Sequence, residues 1–409
     1  MSIHDSVIGV VLKLGYSTLN RNGVCHGISV RWIEACLLGE ERLFDARIKR
    51  IEHLISSGED ITQLVSAVKA KKGKNLTKED QELFDVLAFF DSLELYHLPH
   101  IHSDLFNLPY HSNQDNIAFH SNFAASEQIS ILGGLAQVYS EPLILTEAEL
   151  KDYLDHLGSI LREGSDKATE TFGVILGSSN HTIALNYKPM IGWSLMDINQ
   201  YPSQLFKTED TALLAKKIKE GFLNEMNVNQ SPFQFWGSLF NLSIPFNARI
   251  FTTKNNTLLP QLAEQLALFQ STHEITKKEA SREYAGVSLA YIAAREGNVP
   301  VIAELVKNGA DLNRAFITSS YNFKTLVKSK GLGVISRMNS FLEQHQDKNK
   351  IAMTPYDIAV IMGHPVKQIK DMLKNKTDSI LESAINSKKW EVLLSICNLT
   401  TENRPDIEH

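Results

Sequence analysis

Cysteine and long hydrophobic runs are both scarce in this chain. Its 409 residues include only three cysteines, Cys25, Cys36 and Cys397. Three thiols cannot build a disulfide framework, so a reducing working environment is predicted. The apolar run from Val7 to Leu14 ends far short of the roughly 20 residues that a membrane span needs. The run follows Asp5 and no basic segment, which is untypical of a secretory signal and predicts a soluble protein without conventional export.

An excess of basic charge is missing as well. Lysine and arginine together number 41 against 47 aspartates and glutamates, a net charge of −6. This balance argues against a binder of nucleic acid that works by basic charge, and no nucleic-acid partner is predicted. Gly133-Gly134 lacks the rest of a phosphate-binding loop, and no cofactor is predicted. A hydrophobic fraction of 43% excludes wholesale disorder, and the length predicts two or three domains.

Helical patterns come first in the chain and strand patterns follow, which predicts an α+β domain over residues 1–255. Helices with many charged residues are expected within a large insertion at about 40–130. Short strands rich in β-branched and aromatic residues are predicted later, bounded by turn signals. They cover Phe172–Leu176, Thr182–Tyr187, Trp193–Ile198 and a closing strand at Ala248–Thr253.

Cys25 is the candidate nucleophile. It precedes a predicted helix, Gly27–Leu38, and a thiol at a helix N-terminus is stabilised as thiolate by the helix dipole. The alternative is a core cysteine, because residues 25, 28, 32 and 36 share one helix face.

His181 and Asp197 are the candidate base and its orienting carboxylate. His181 lies at the start of one predicted strand and Asp197 lies near the end of the next. If the chain reverses about Lys188-Pro189-Met190, the two residues lie directly opposite each other, with Cβ atoms roughly 4.5–5.5 Å apart. A one-residue slip would turn one of them to the other face. In this arrangement Asp197 orients the imidazole, and His181 takes the proton from Cys25.

The segment around Cys25, GVCHGISVRW, resembles the Gly-x-Cys-x-Gly-Leu-Ser-x-x-Trp block of the YopT/AvrPphB-type cysteine proteases, which are papain-like. NHTIAL at His181 and DINQY at Asp197 resemble the family's other two blocks, in the same order, and the resemblance covers roughly residues 20–220. It implies a papain-like fold, a Cys-His-Asp triad and a peptide or protein substrate. It also implies an oxyanion donor shortly before the cysteine. Leu19 cannot donate from its side chain, which leaves Asn20 and Asn22 as candidates.

The C-terminal third carries a repeat. Ala293-Ala294-Arg295-Glu296-Gly297 aligns with Ala359-Val360-Ile361-Met362-Gly363, and the two glycines lie 66 residues apart, twice 33. Thr354, Pro355 and Asp357 predict a helix start with a capping box. The segment resembles the ankyrin-repeat family over 285–398. About four repeats are expected, with a degenerate second one near 326–342 and a shortened fourth. A connecting helix is expected at 256–284 and a polar tail at 399–409.

An enlarged loop between Asn313 and Lys324 carries three aromatic residues, Phe316, Tyr321 and Phe323. Aromatic side chains on projecting loops are typical anchors of protein interfaces, so these three are predicted to bind a partner protein. The alternative is that they pack onto the degenerate second repeat.

The fusion of a protease-like and an ankyrin-like module resembles intracellular effectors that Legionella-type bacteria deliver by a type IV system. What is implied is a monomer that acts in the host cytoplasm or nucleus, with the repeats holding a host protein. A non-catalytic binding protein built on a protease-like scaffold is the alternative.

Five histidines fall within a short stretch of the insertion. A zinc site needs three or four convergent ligands, and the proline-rich and asparagine-rich spacing indicates a solvated loop instead, so no metal site is predicted. The five residues are His97, His100, His102, His111 and His120.

Overall fold

The computed structural model divides the chain into two compact units, Met1–Glu274 and Ile275–His409. The residues that the structure describes are 3–16, 24–102, 115–163, 170–178, 181–226, 243–272, 275–284, 287–319, 350–362, 364 and 367.

The first unit begins with a layer of helices. The elements in chain order are α1 (Ile3–Lys13), α2 (Val24–Leu38), α3 (Glu41–Ser56), α4 (Ile61–Ala70), α5 (Lys78–His97), a 3₁₀ turn (Pro99–His102), α6 (Ile117–Ala124) and α7 (Glu127–Ile131). The helices expected at about 40–130 are present in the described part of that stretch. The helical pattern over 41–70 is split into α3 and α4 because the chain turns at Gly58, whose φ of +72° favours glycine.

Six antiparallel strands follow and form one sheet. They are β1 (Leu135–Leu145), β2 (Phe172–Gly177), β3 (Thr182–Lys188), β4 (Gly192–Met196), β5 (Gln204–Phe206) and β6 (Ile244–Thr253). The order across the sheet is β1-β6-β2-β3-β4-β5. The predicted α+β class and the four predicted strands are confirmed. The longest strand, β1, was not foreseen, because its sequence LAQVYSEPLIL contains a glutamate and a proline.

The first face of the sheet meets the helical layer. Three further helices cover the opposite, second face: α8 (Glu147–Glu163), α9 (Thr211–Met226) and α10 (Leu259–Thr272). Two apolar cores result. One lies between the helical layer and the first face and includes Ile175, Ala184 and Met196. The other lies beneath α8, α9 and α10 and includes Val174 and Leu185. Alternation along the strands thus assigns each residue to one core or the other.

Helix α2 is enclosed on both sides, which is why nearly all of its residues are buried. Toward the sheet, a Cβ added to Gly173 would lie 2.3 Å from the Ile33 side chain. Toward the helical layer, a Cβ added to Gly27 would lie 3.0 Å from the carbonyl oxygen of Leu93 in α5. The two glycines allow the close approach that holds α2 in a fixed position.

The second unit contains paired helices and short strands. They are α11 (Lys277–Ala280), β7 (Glu283–Tyr284), β8 (Val287–Ser288), α12 (Leu289–Arg295), α13 (Val299–Lys307), β9 (Phe316–Ser319), β10 (Lys350–Met353) and α14 (Pro355–Met362). The predicted capping box at α14 is confirmed. The Thr354 hydroxyl accepts from the backbone N–H of Asp357 at 3.2 Å, and the Asp357 carboxylate accepts from the backbone N–H of Thr354 at 2.7 Å.

Helices α12 and α14, which carry the two aligned sequence repeats, pack directly against each other. His364 Nε2 donates to the carbonyl of Arg295 at 2.7 Å and ties the two helix ends together. Strands β9 and β10 pair antiparallel, with Phe316 opposite Met353 and Ser319 opposite Lys350. The predicted degenerate repeat at 326–342, the shortened fourth repeat and the polar tail lie outside the described residues.

The predicted connecting helix corresponds to α10, and this helix belongs to the first unit. Leu262, Leu266 and Phe269 are buried in the core beneath the sheet, so the helix is part of that unit. The first unit therefore ends near residue 274 rather than 255. Among the described residues, no helix combines the length and the apolar character that a membrane crossing requires.

Candidate functional site

Cys25 is the second residue of α2 and belongs to the first turn of that helix. The backbone N–H groups of a first turn have no acceptor within the helix, and together with the helix dipole they favour negative charge nearby. Cys25 also belongs to the apolar core, with 8% of its surface exposed. Both interpretations drawn from the sequence therefore hold for the same residue: it is a helix-start thiol and it is buried.

His181 and Asp197 meet, although not in the register expected from the sequence. Ala184 lies opposite Met196, and continuing this ladder puts Asp197 opposite Ile183 rather than His181. The hairpin is centred one residue later than expected, which displaces the pairing by two residues. An even displacement keeps both side chains on the same face, and diagonal neighbours about 7–8 Å apart remain within reach of a long side chain.

The contact between the two residues is a buried ion pair or hydrogen bond. His181 Nε2 donates to Asp197 Oδ1 at 3.1 Å, and the two side chains are 0% and 1% exposed. Asp197 Oδ1 also accepts from the backbone N–H of Asn199 at 3.0 Å, and Oδ2 accepts from the Gln200 amide at 3.3 Å. The ring edge of His181 meets Phe222 of α9, with centroids 6.1 Å apart. The carboxylate and the ring are thus both held from several sides.

The Asp197 segment is also fixed to the helical layer. The Tyr201 hydroxyl donates to the Asp45 carboxylate of α3 at 2.8 Å. This bond links the turn that carries Asp197 to the helical layer that contains Cys25.

The remaining ring nitrogen, His181 Nδ1, is buried and forms no hydrogen bond of ideal geometry among the described residues. The ring nevertheless interacts with Cys25. Burial alone would raise the pKa of the Cys25 thiol, but hydrogen bonding and charge interaction with His181 and His4 outweigh burial and lower it. Burial would lower the pKa of His181, but Asp197 and then Cys25 raise it to about 10. Catalytic hydrogen bonds are often long before a substrate binds.

These opposite pKa changes favour the same state, a thiolate beside an imidazolium. A lowered thiol pKa and a raised imidazole pKa both shift the proton from the sulfur toward the ring. The sulfur is then a nucleophile without further activation. Cys36 has no such environment: it is fully buried, and desolvation raises the pKa of its thiol well above the ordinary value.

His4 is a site residue that sequence reasoning missed. It lies in the first turn of α1, is half-buried, and its imidazole lies within hydrogen-bonding reach of the Cys25 thiol. The signal available in the sequence was the i, i+3, i+7 spacing of His4, Val7 and Val11, which places the histidine on the apolar face of the helix. That signal says nothing about which residue the face meets.

Ser29 is a second residue whose role was not foreseen. Its hydroxyl donates to the backbone carbonyl of Thr182 at 3.3 Å, and Ser29 is 3% exposed. Ser29 lies one helical turn after Cys25, and Thr182 directly follows His181. This bond therefore links the element that carries the nucleophile to the element that carries the base.

The other candidate site residues have different outcomes. The oxyanion candidates Asn20 and Asn22 and the interface candidates Tyr321 and Phe323 lie outside the described residues. Phe316 is half-buried, and its ring centroid lies 5.2 Å from that of Tyr291 in α12. For Phe316 this contact favours packing within the unit, although against the first repeat rather than the second.

The expected solvated histidine loop is wrong for His97 and His120. His97 ends α5 and is 5% exposed, and His120 lies in α6 and is 2% exposed. Burial lowers the pKa of His120 to about 4. His102 lies in the 3₁₀ turn with Nε2 at 3.3 Å from Glu94 Oε2. His111 is not described. Within the described ranges, no three His, Cys, Asp or Glu side chains are arranged to hold a metal ion.

Comparison with known proteins gave no match: no family model, no curated protein and no solved structure corresponds to this chain. Functional interpretation of the site therefore rests on its own residues and geometry.

Proposed function

We propose that the first unit is a thiol hydrolase or acyl transferase of the YopT/AvrPphB, papain-like type, with Cys25 as nucleophile, His181 as base and Asp197 as orienting residue. The observation that carries the proposal is the contact of His181 with Asp197 on one side and Cys25 on the other, with the pKa of the thiol lowered and that of the imidazole raised. Two titratable groups from distant parts of the chain, Cys25 and His181, whose pKa values are perturbed in this sense are typical of an active site.

The chemistry follows from the proton positions. The thiol proton moves to His181 Nδ1, since Nε2–H is donated to Asp197. The thiolate attacks the carbonyl carbon of the acyl donor, a sulfur–carbon bond forms, and the carbonyl electron pair moves onto oxygen. When the pair returns, the carbon–heteroatom bond breaks and the leaving group takes the proton from Nδ1. Water or an amine then attacks the thioester with His181 as base, which gives hydrolysis or acyl transfer.

The experiment that tests the proposal is covalent labelling of Cys25 by a thiol-reactive epoxide, located by mass spectrometry. Wild-type protein is expected to be labelled at Cys25 and not at Cys36, whose thiol pKa is raised by burial. Cys25→Ala is expected to lose the label with its fold intact. Labelling that is equal at both cysteines, or absent from Cys25, contradicts the proposal.

A non-catalytic binding protein is the second candidate, and the low exposure of Cys25 favours it. A nucleophile must meet its substrate, and only 8% of this residue is accessible. In this candidate the first unit is a scaffold and the second unit provides the function. Binding of a host protein that is unchanged by Cys25→Ala, in a protein that the epoxide does not label, would support it.

For the second unit we propose an ankyrin-like array that holds a host protein. The support is the helix-turn-helix of α12 and α13 and the direct packing of α12 on α14, together with the capped start of α14. The antiparallel pairing of β9 with β10 joins the end of the first repeat to the start of the repeat that contains α14. The proposed setting, a monomer delivered into a host cell by a type IV-like route and active in the cytoplasm or nucleus, follows from the resemblance of the combined modules. Pull-down from host lysate with the full chain and with a chain truncated after residue 274 tests which unit binds.

A further inference from the structure

The acyl-transfer reaction proposed above needs a hydrogen-bond donor for the oxyanion. One backbone donor is available in the first turn of α2, because N–H groups there have no intrahelical acceptor. A side-chain donor is the usual complement to a backbone N–H. The resemblance expects it shortly before Cys25, where Leu19 cannot donate from its side chain.

His4 reaches the nucleophile from a different direction. Helix α1 packs against α2 and against the 3₁₀ turn Ile198–Gln200, which follows Asp197. His4 shares the inward face of α1 with Val7 and Val11, both 0% exposed. Since Val7 and Val11 lie in the same core as Cys25, this face orients the imidazole toward the start of α2.

The position of His4 relative to the sulfur defines what it can contact. In the tetrahedral intermediate the attacked carbon is bonded to sulfur, and the oxyanion is bonded to that carbon. A donor within hydrogen-bonding reach of the sulfur is therefore close to one of the positions that the oxyanion can take. His181 is already committed to proton transfer through its contact with Asp197, so a second imidazole at the same sulfur is not needed as a base.

We propose that His4 is the side-chain oxyanion donor of this site, a role that rests on the proposed acyl-transfer function. Its contribution is realised only when a carbonyl oxygen gains negative charge. Reactions of the thiolate that create no oxyanion do not use it in this way.

That difference gives the test. Acylation of Cys25 by p-nitrophenyl acetate passes through an oxyanion, whereas alkylation by iodoacetamide displaces iodide and does not. Both rates are measured on the full chain for wild type, His4→Ala and His4→Gln. Removing one oxyanion donor typically costs roughly 10²–10³-fold. His4→Ala is expected to slow acylation at least about 10-fold more than it slows alkylation, and His4→Gln, which keeps an N–H donor, is expected to recover most of the difference.

The controls keep the outcome unambiguous. His53→Ala removes an exposed histidine from the last turn of α3 and is expected to change neither rate. Circular dichroism and melting temperature check that the His4 variants are folded. Equal slowing of acylation and alkylation in His4→Ala, or no slowing, overturns the inference while leaving the triad in place. A wild-type protein that is alkylated at Cys25 and never acylated overturns the proposed function and this inference with it.

Discussion

Replacing Asp197 by asparagine is expected to remove much of the thiolate from Cys25 at neutral pH while leaving the His181 ring in place. Asparagine has nearly the same shape and keeps an oxygen that can accept from His181 Nε2 and from the backbone N–H of Asn199. What it lacks is the negative charge. The variant therefore separates the orienting role of Asp197 from its electrostatic role.

The size of the effect follows from the pKa of His181. Its rise from 6.5 to about 10 corresponds to roughly 5 kcal/mol in favour of the imidazolium. The hydrogen bond to Asp197 is the largest favourable contribution, ahead of the interaction with Cys25. If Asp197 supplies about half of the total, its loss shifts the proton equilibrium between ring and thiol by about 10²-fold.

The pH dependence of stability has a definite sign. The folded-state pKa of His181 lies above its ordinary value, so the stabilisation is complete below pH 6.5 and is lost as pH rises through about 10. Asp197→Asn is therefore expected to lower the free energy of unfolding more at about pH 6 than at about pH 10. Urea unfolding at the two pH values measures this difference.

The assay for the site itself is the rate of iodoacetamide alkylation of Cys25 across pH, read by mass spectrometry. Asp197→Asn is expected to move the rise of this rate to higher pH, with a loss of up to about 10²-fold near pH 7. Asp197→Ala, which also releases the ring, is expected to lose at least as much. Asp80→Asn, which removes the ion pair of Asp80 with Lys71 at the start of α5, is the control and is expected to leave the profile unchanged. A profile of Asp197→Asn that superimposes on wild type refutes the reasoning.

Three further predictions follow from single contacts. Ser29→Ala is expected to cost about 1 kcal/mol of unfolding free energy and to slow alkylation of the nucleophilic thiol, whereas Ser92→Ala, which also removes a buried hydroxyl-to-carbonyl bond, is expected to cost stability alone. Gly173→Ala is expected to cost about 1–3 kcal/mol, because its Cβ would lie 2.3 Å from Ile33; unchanged urea unfolding contradicts the close approach of α2 to the sheet. Phe316→Ser is expected to lower the melting temperature by about 2–4 °C per kcal/mol of lost packing. An unchanged melting temperature would instead favour the prediction that Phe316 binds a partner protein.

The triad was predictable because its signals are local and its geometry tolerates a small error. A short stretch of sequence is enough to indicate the helix start at Cys25. The same holds for each of the two strands near His181 and Asp197. The hairpin register was wrong by two residues, since the turn residues Lys188-Pro189-Met190 do not fix its centre. Had the error been one residue, the two side chains would have pointed to opposite faces.

The residues that were missed act through contacts between distant segments. The face of α1 that carries His4 is visible in the sequence, but its partner is set by how α1 packs on α2. The bond from Ser29 to the carbonyl of Thr182 spans 153 residues and uses a backbone acceptor, which has no sequence signature. Strand β1 was missed because its pattern is interrupted by Glu141 and Pro142, which pairing with β6 accommodates.

The buried histidines show a different limit. Proline and asparagine around His97 and His120 are typical of loops, and composition alone favoured a solvated segment there. Both imidazoles are instead buried in the helical layer. Composition reports the average environment of a stretch, whereas burial is decided residue by residue by the packing of the helices.

The pairing of β9 with β10 has a consequence for how the length of this chain can vary. Phe316 lies opposite Met353 and Ser319 lies opposite Lys350, so the described chain ends at Ser319 and Lys350 are direct neighbours. Paired strands are separated by about 5 Å, a gap that a two-residue turn closes. A turn of that size between Ser319 and Lys350 would therefore keep β9 paired with β10. The entropic cost of joining these two chain ends depends only weakly on the length of the connection, because the closure entropy of a loop grows slowly with its size.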